Sequence, residues 1–186
     1  MKIKKNELNP FILAIILFII ASLSGFLLSY IYSTTKPIIK KNEKIKEQNN
    51  LKILMPDIKN FEKINNYFKV YGNNNKVIGY VFKTSAKGYS SEVVCNVGIN
   101  SEGKVTGVII ISEAETPGLG SKIEEVREGE KEPYYLAQYK GKNENEINFE
   151  NIQAISGATI SSRAVLNSVK KAFKIYDSIT KKDTEK

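Results

Sequence analysis

The sequence predicts an α+β domain carried behind a single N-terminal transmembrane helix. Two observations carry that expectation. A long uncharged run opens the chain. Further along, strand-like segments joined by short turns come first and a long helical segment comes last, a segregated order that points to an antiparallel sheet with helices packed on it.

Residues 11–32 read FILAIILFIIASLSGFLLSYIY, and nothing from Pro10 to Tyr32 is charged. At about 1.5 Å per residue, these roughly 22 positions reach about 33 Å as a helix, enough for a bilayer core. Tyr30 and Tyr32 stand at one end, where interfacial aromatics belong. A cleaved signal peptide is the alternative, but its apolar core usually has about 7–15 residues and leads into small residues. The longer run and its tyrosine exit favour an uncleaved anchor over residues 1–35. Lys2, Lys4 and Lys5 precede it, while Lys36, Lys40, Lys41, Lys44 and Lys46 follow it. Positive charge on both flanks leaves the orientation undecided.

The net charge of +8 over 186 residues raises two readings, nucleic acid or a lipid surface. The lysines are spread along the chain without arginine clusters or interleaved aromatics. That distribution suits attraction to anionic lipid beside an anchor and not base readout. There is no histidine, which excludes a Ser-His-Asp triad, a histidine-ligated metal and a c-type haem. Cys95 is the single cysteine, so an intrachain disulfide, a CxxC pair and a cysteine-bound iron–sulfur cluster are excluded too. Among Val93, Val94 and Val97 it reads as a small buried hydrophobe. Redox work by this chain would need an organic cofactor.

After the anchor, residues 36–66 read as a helical stalk or linker. Pro37 suits a first helical turn, and Ile38, Ile45, Leu51 and Leu54 give only a patchy apolar stripe among lysines, as on a solvated helix. The folded domain is expected over residues 67–180, with a polar tail over 181–186. Four strands are expected at 67–71, 76–84, 92–100 and 104–112. Asn73, Asn74 and Asn75 mark the first turn, and Gly103 suits a tight hairpin at a positive φ. A short helix is expected at 121–126 and a long one at 162–179. On the latter, Val165, Leu166, Val169, Phe173 and Tyr176 recur at helical spacing.

Residues 155–162, ISGATISS, hold the chemistry. Gly157 and Ala158 are small enough for a bulky ligand to approach the backbone. Ser156, Thr159, Ser161 and Ser162 place four hydroxyls at the mouth of the helix, with Ser161 or Ser162 as its N-cap. Free N–H groups at a helix start suit a phosphate. The same features also describe an ordinary serine-capped helix after a tight turn. A second segment, Glu115-Thr116-Pro117-Gly118-Leu119-Gly120 followed by Ser121, Lys122 and Ile123, is a Pro-Gly turn that exposes amides and offers Leu119 as an apolar contact.

SGATISS resembles the flavinylation motif of the RnfG family, a component of the Rnf/Rsx ion-translocating electron transport complex. It is also similar to that of the C component of the Na⁺-translocating NADH:quinone reductase, which shares the FMN-binding domain. ETPGLG followed by Lys122 and Ile123 resembles the flavin-side loop of the same family, in the expected order and about 40 residues upstream. The resemblance implies FMN joined by a phosphoester to Thr159, loaded from FAD by a flavin transferase. It implies further cofactor contacts from Ser156, Gly157, Ala158, Ser161, Ser162, Glu115, Thr116, Gly118, Leu119, Gly120 and Lys122. Gln153 stands where the family usually has an acidic residue. The implied role is a covalently flavinylated electron relay between ferredoxin and NAD⁺, one component among others in a plasma-membrane complex coupled to Na⁺ or H⁺ movement. Its C-terminal domain would be extracytoplasmic, and no metal or nucleic acid would be involved. A free-standing flavin carrier of another reductase and a non-flavinylated membrane-tethered binding module remain the alternatives.

Overall fold

The structure is a computed structural model that describes residues 9–184. Lys2, Lys4 and Lys5, together with Glu185 and Lys186 of the polar tail, lie outside the described residues. The chain divides into two compact units, Met1–Glu47 and Gln48–Lys186.

The first unit is helical. Helix α1, Pro10–Leu54, starts on Asn9, whose side-chain oxygen accepts from the Phe11 amide at 3.1 Å, an N-cap arrangement. From Phe11 to Tyr32 its apolar residues are exposed on every side, and one 18-residue window has a mean hydropathy of 2.9. The helix is therefore long and apolar enough to cross a membrane. Pro37 does not open a new helix, as the sequence suggested, but lies inside α1. Its missing N–H leaves one carbonyl unmatched. The hydroxyls of Ser33 and Thr34 donate to the Tyr30 carbonyl, and that of Thr35 to the Ile31 carbonyl. The three hydroxyls before the proline are thus satisfied within the helix itself.

The second unit is built on one antiparallel sheet with the strands in sequence order: β1 Asn60–Ile64, β2 Tyr67–Tyr71, β3 Val77–Lys87, β4 Glu92–Asn100 and β5 Val105–Ser112. The expected four-strand meander is thus five-stranded. The sequence missed β1, Asn-Phe-Glu-Lys-Ile, because it is a mostly exposed strand with three polar residues and no apolar alternation. Gly103 takes φ +75° in the β4–β5 hairpin, as expected. The longest pairing runs from Gly79 opposite Asn100 to Lys87 opposite Glu92.

The sheet is covered on both faces. On one, Phe82, Cys95, Val97 and Ile99 pack against Val165, Val169 and Phe173 of α3, Thr159–Thr184. Half-buried Tyr176 extends this layer, its ring 5.8 Å from Tyr80 and 6.4 Å from Phe82. Burial pushes the Cys95 thiol pKa up to about 12, with Ser168 opposing and Glu124 adding to the rise, so the residue is the inert hydrophobe its neighbours implied. On the other face, Phe68, Val70 and Val81 are covered by Leu51, Leu54 and Met55. The sequence treated Leu51 and Leu54 as part of a solvated stalk, but they are fully buried, at 0% and 1% exposure. A β-sheet with two apolar faces needs two covers, and the last turn of α1 is the second one. Ile38 and Ile45 are exposed as expected. The short helix expected at 121–126 is a 3₁₀ turn, Gly120–Glu124, anchored by buried Ile123. A short helix α2, Tyr134–Ala137, follows.

Candidate functional site

Helix α3 begins at Thr159, three residues earlier than the sequence suggested, so neither Ser161 nor Ser162 is its cap. Both lie in the first turn, and both hydroxyls are engaged elsewhere. Ser162 Oγ accepts from the Ile155 amide at 3.1 Å, and Ser161 Oγ donates to Glu115. The helix closes on Ala158, whose carbonyl accepts from the Ser162 amide at 2.9 Å. Thr159 is exposed as the first helical residue. Among the described residues, the amides of Thr159, Ile160 and Ser161 have no hydrogen-bond acceptor, as expected for the first turn of a helix.

Two turns face each other across this helix start. In the first, the Ala158 amide reaches the Ile155 carbonyl at 3.0 Å, with Gly157 at φ +76°. In the second, the Leu119 amide reaches the Thr116 carbonyl at 3.1 Å, with Gly118 at φ +74°. Each is a glycine-at-third-position turn that needs a positive φ there. A Cβ on Gly157 would lie 3.5 Å from Leu119 Cδ2, so the two turns are in van der Waals reach.

Between them opens a cleft of about 680 Å³. Its apolar walls are Tyr89, Leu119 and Ile160, exposed at 70%, 50% and 51%. Thr116, Gly120, Gly157, Ala158, Thr159 and Ser161 complete it together with Glu115. A concave, mostly apolar cleft of this size with a few convergent polar groups is what a small-molecule or cofactor site looks like.

Glu115 is only 5% exposed. Oε1 accepts from the amides of Ser90 at 3.1 Å and Ser91 at 3.0 Å and from Ser91 Oγ at 3.3 Å. Oε2 accepts from the Tyr89 amide at 3.0 Å and from the Ser161 hydroxyl. Burial pushes the carboxyl pKa up, but the Ser161 hydroxyl and the amides of Ser91, Tyr89 and Ser90 outweigh it, and the group is more acidic than an ordinary glutamate. Two glycines make room for it. A Cβ on Gly88 would lie 2.5 Å from Glu115 Oε1, and one on Gly120 would lie 2.7 Å from both Glu115 Cβ and Ser161 Oγ.

The opposite flank of the motif is braced by residues 134–139. Gln138 makes two reciprocal bonds with the backbone of Gln153, accepting from its amide at 2.8 Å and donating to its carbonyl at 3.2 Å. Buried Tyr139 donates to Tyr135 Oη, which in turn donates to the Ser162 carbonyl at 2.8 Å.

Of the residues singled out in the sequence, the structure gathers Thr159, Gly157, Ala158, Ser161, Glu115, Thr116, Leu119 and Gly120 around one cleft. Four others lie outside its lining. Ser156 faces a separate polar cavity of about 450 Å³ beside Arg127. Ser162 is fully buried. Gly118 serves its turn, and its amide donates to Ser121 Oγ. Lys122 belongs to the 3₁₀ turn. Sequence reasoning missed Gly88, Tyr89 and Ile160, although the dipeptide Gly88-Tyr89 between two strands was a visible turn signal.

The FMN-binding domain family matches residues 88–174, a span that contains every part of this cleft. The G component of the proton-translocating ferredoxin:NAD(+) oxidoreductase complex of Clostridium ljungdahlii is 30% identical over 177 residues, 90% of this chain and 92% of that protein. The chain belongs to the RnfG family. The G component of the Na(+)-translocating ferredoxin:NAD(+) oxidoreductase complex of Acetobacterium woodii is 38% identical over 113 residues, covering 58% of this chain and 54% of its own length. A crystal structure of Shewanella oneidensis NqrC aligns with a TM-score of 0.45 at 20% identity, over 64% of this chain and 67% of that one. As an RnfG-family protein with an FMN-binding domain, the chain has a cleft that fits its family's cofactor. The lining offers an exposed hydroxyl at a helix start, amides without acceptors beside it, and apolar walls for a planar ring.

Proposed function

We propose that the chain is the flavin-carrying component of a membrane complex of the ferredoxin:NAD⁺ oxidoreductase type, with FMN esterified through its phosphate to Thr159. The observation that carries this reading is the position of Thr159. It is exposed, it is the first residue of α3, and it opens onto the apolar cleft. Attachment replaces the phosphoanhydride bond of FAD by an ester to Thr159 Oγ1 and releases AMP, with a flavin transferase as the maturation partner. The amides of the first turn of α3 would hold the phosphate, and Tyr89, Leu119 and Ile160 would shield the ring from water. FMN would supply the electron chemistry that no side chain of this chain supplies, and the other members of the complex would be donor and acceptor.

Protein made with a flavin transferase should keep a fluorescent band after denaturing electrophoresis. Thr159→Ala should abolish that band, and Thr159→Ser should keep part of it. Covalent flavin on the Thr159→Ala protein would show that the attachment point is elsewhere.

The same reading puts the start of the chain on the cytoplasmic side of the plasma membrane and the cofactor domain outside, with α1 spanning between. It is supported by the apolar window of α1 and by membership of the family. Protease added to intact spheroplasts should digest the domain. Digestion only after lysis would reverse the orientation.

A further inference from the structure

We propose that Glu115 is a positioning residue whose fixed negative charge also opposes reduction of the ring seated in the cleft. The inference rests on the reading of FMN at Thr159 and adds to it what sets the behaviour of that site.

The positioning role follows from the bonding. The three segments that line the cleft are the turn at 88–91, the loop at 115–120 and the first turn of α3. Glu115 lies in the second and accepts from Tyr89, Ser90 and Ser91 in the first and from Ser161 in the third. Every group aimed at it is a donor, so the position requires an acceptor at both oxygens. A glutamine would turn an NH₂ toward N–H or O–H donors. The glycines at 88 and 120 leave the space that the carboxylate and its partners fill.

The electrostatic role follows from what surrounds the charge. Among the described residues, no lysine or arginine lies within ion-pair distance of Glu115. Its partners are dipoles, which hold an ion in place without cancelling its charge. A buried, unneutralised charge acts over a longer range than a solvated one, because little water screens it. Glu115 lines the cleft, so its field reaches whatever is seated there. Adding electrons makes a flavin ring more negative, and the carboxylate disfavours that.

The experiment compares Glu115→Gln and Ser161→Ala with the unaltered full-length chain, each produced with a flavin transferase and titrated spectroelectrochemically. Glu115→Gln removes the charge and should shift the flavin midpoint to more positive potential. Ser161→Ala keeps the charge but removes one of the donors that temper it, and should shift the midpoint the other way. A merely structural role would not give opposite signs. Equal-signed or absent shifts in folded, flavinylated variants would overturn the electrostatic role. If Glu115→Gln fails to fold, the sign of the Ser161→Ala shift alone decides. In flavin-free protein, the amides of Tyr89, Ser90 and Ser91 should exchange faster in either variant than in the unaltered chain, and unchanged exchange would overturn the positioning role. Absence of flavin from the unaltered chain would instead sink the assignment of Thr159 and leave the exchange result standing.

Discussion

A buried carboxylate that carries its charge into the folded state leaves a signature in acid. Burial alone would raise the folded-state pKa of Glu115, but the Ser161 hydroxyl and three amides depress it. Its stabilising contribution is therefore complete above the ordinary glutamate range and is lost as pH falls through the lower, folded-state value. The urea midpoint of the flavin-free chain should decline through that acid window, and Glu115→Gln should flatten that part of the decline. An equal acid slope in both proteins would mean that other carboxylates carry it. At this scale the sequence was informative wherever chemistry is written locally. That Thr159, Gly157 and the 115–120 turn belong together was legible from the resemblance of SGATISS and ETPGLG to one family's motifs, since spacing alone also described a capped helix after a turn. Gly88 and Tyr89 were legible only as a turn, because their place at the cleft is defined by contact with Glu115, far along the chain.

Among the elements, α2 and the residues just after it show how a short segment can support a longer one. The four residues of α2 cannot hold a helix by themselves, yet Tyr135 and Gln138 tie the chain on both sides of the threonine turn. Tyr135→Phe should leave the fully buried hydroxyl of Tyr139 without its acceptor and cost about 1–3 kcal/mol, read as a lower urea midpoint with an unchanged m value. A loss within experimental error would mean that water or a shifted ring replaces the bond. The start of α3 was misread by three residues for a related reason. Serines at a helix mouth normally cap it, but here buried Glu115 and the Ile155 amide compete for the two hydroxyls, and Ala158 closes the helix through its backbone.

Taken whole, the second unit was legible as an α+β domain but not as a complete one. Its strands alternate clearly enough from 67 onward, while β1 is polar and the cover of the second sheet face comes from residues whose lysine-rich neighbours suggested solvent. A fragment beginning at Gln48 should therefore fold and stay soluble. One beginning at Asp57 should expose Phe68, Val70 and Val81 and aggregate or melt at lower temperature, because it loses Leu51, Leu54 and Met55. Equal melting of the two fragments would show that the last turn of α1 is dispensable. The carboxylate clamp has a consequence for the unfolded chain too. Its partners are separated from Glu115 by 24 to 46 positions along the chain. Each such contact closes a loop and must repay that loop's entropy. The cleft therefore exists only where the hairpin and the start of α3 are both in place. An unfolded chain displays the threonine on a bare length of backbone, and only the finished domain presents it beside a seat.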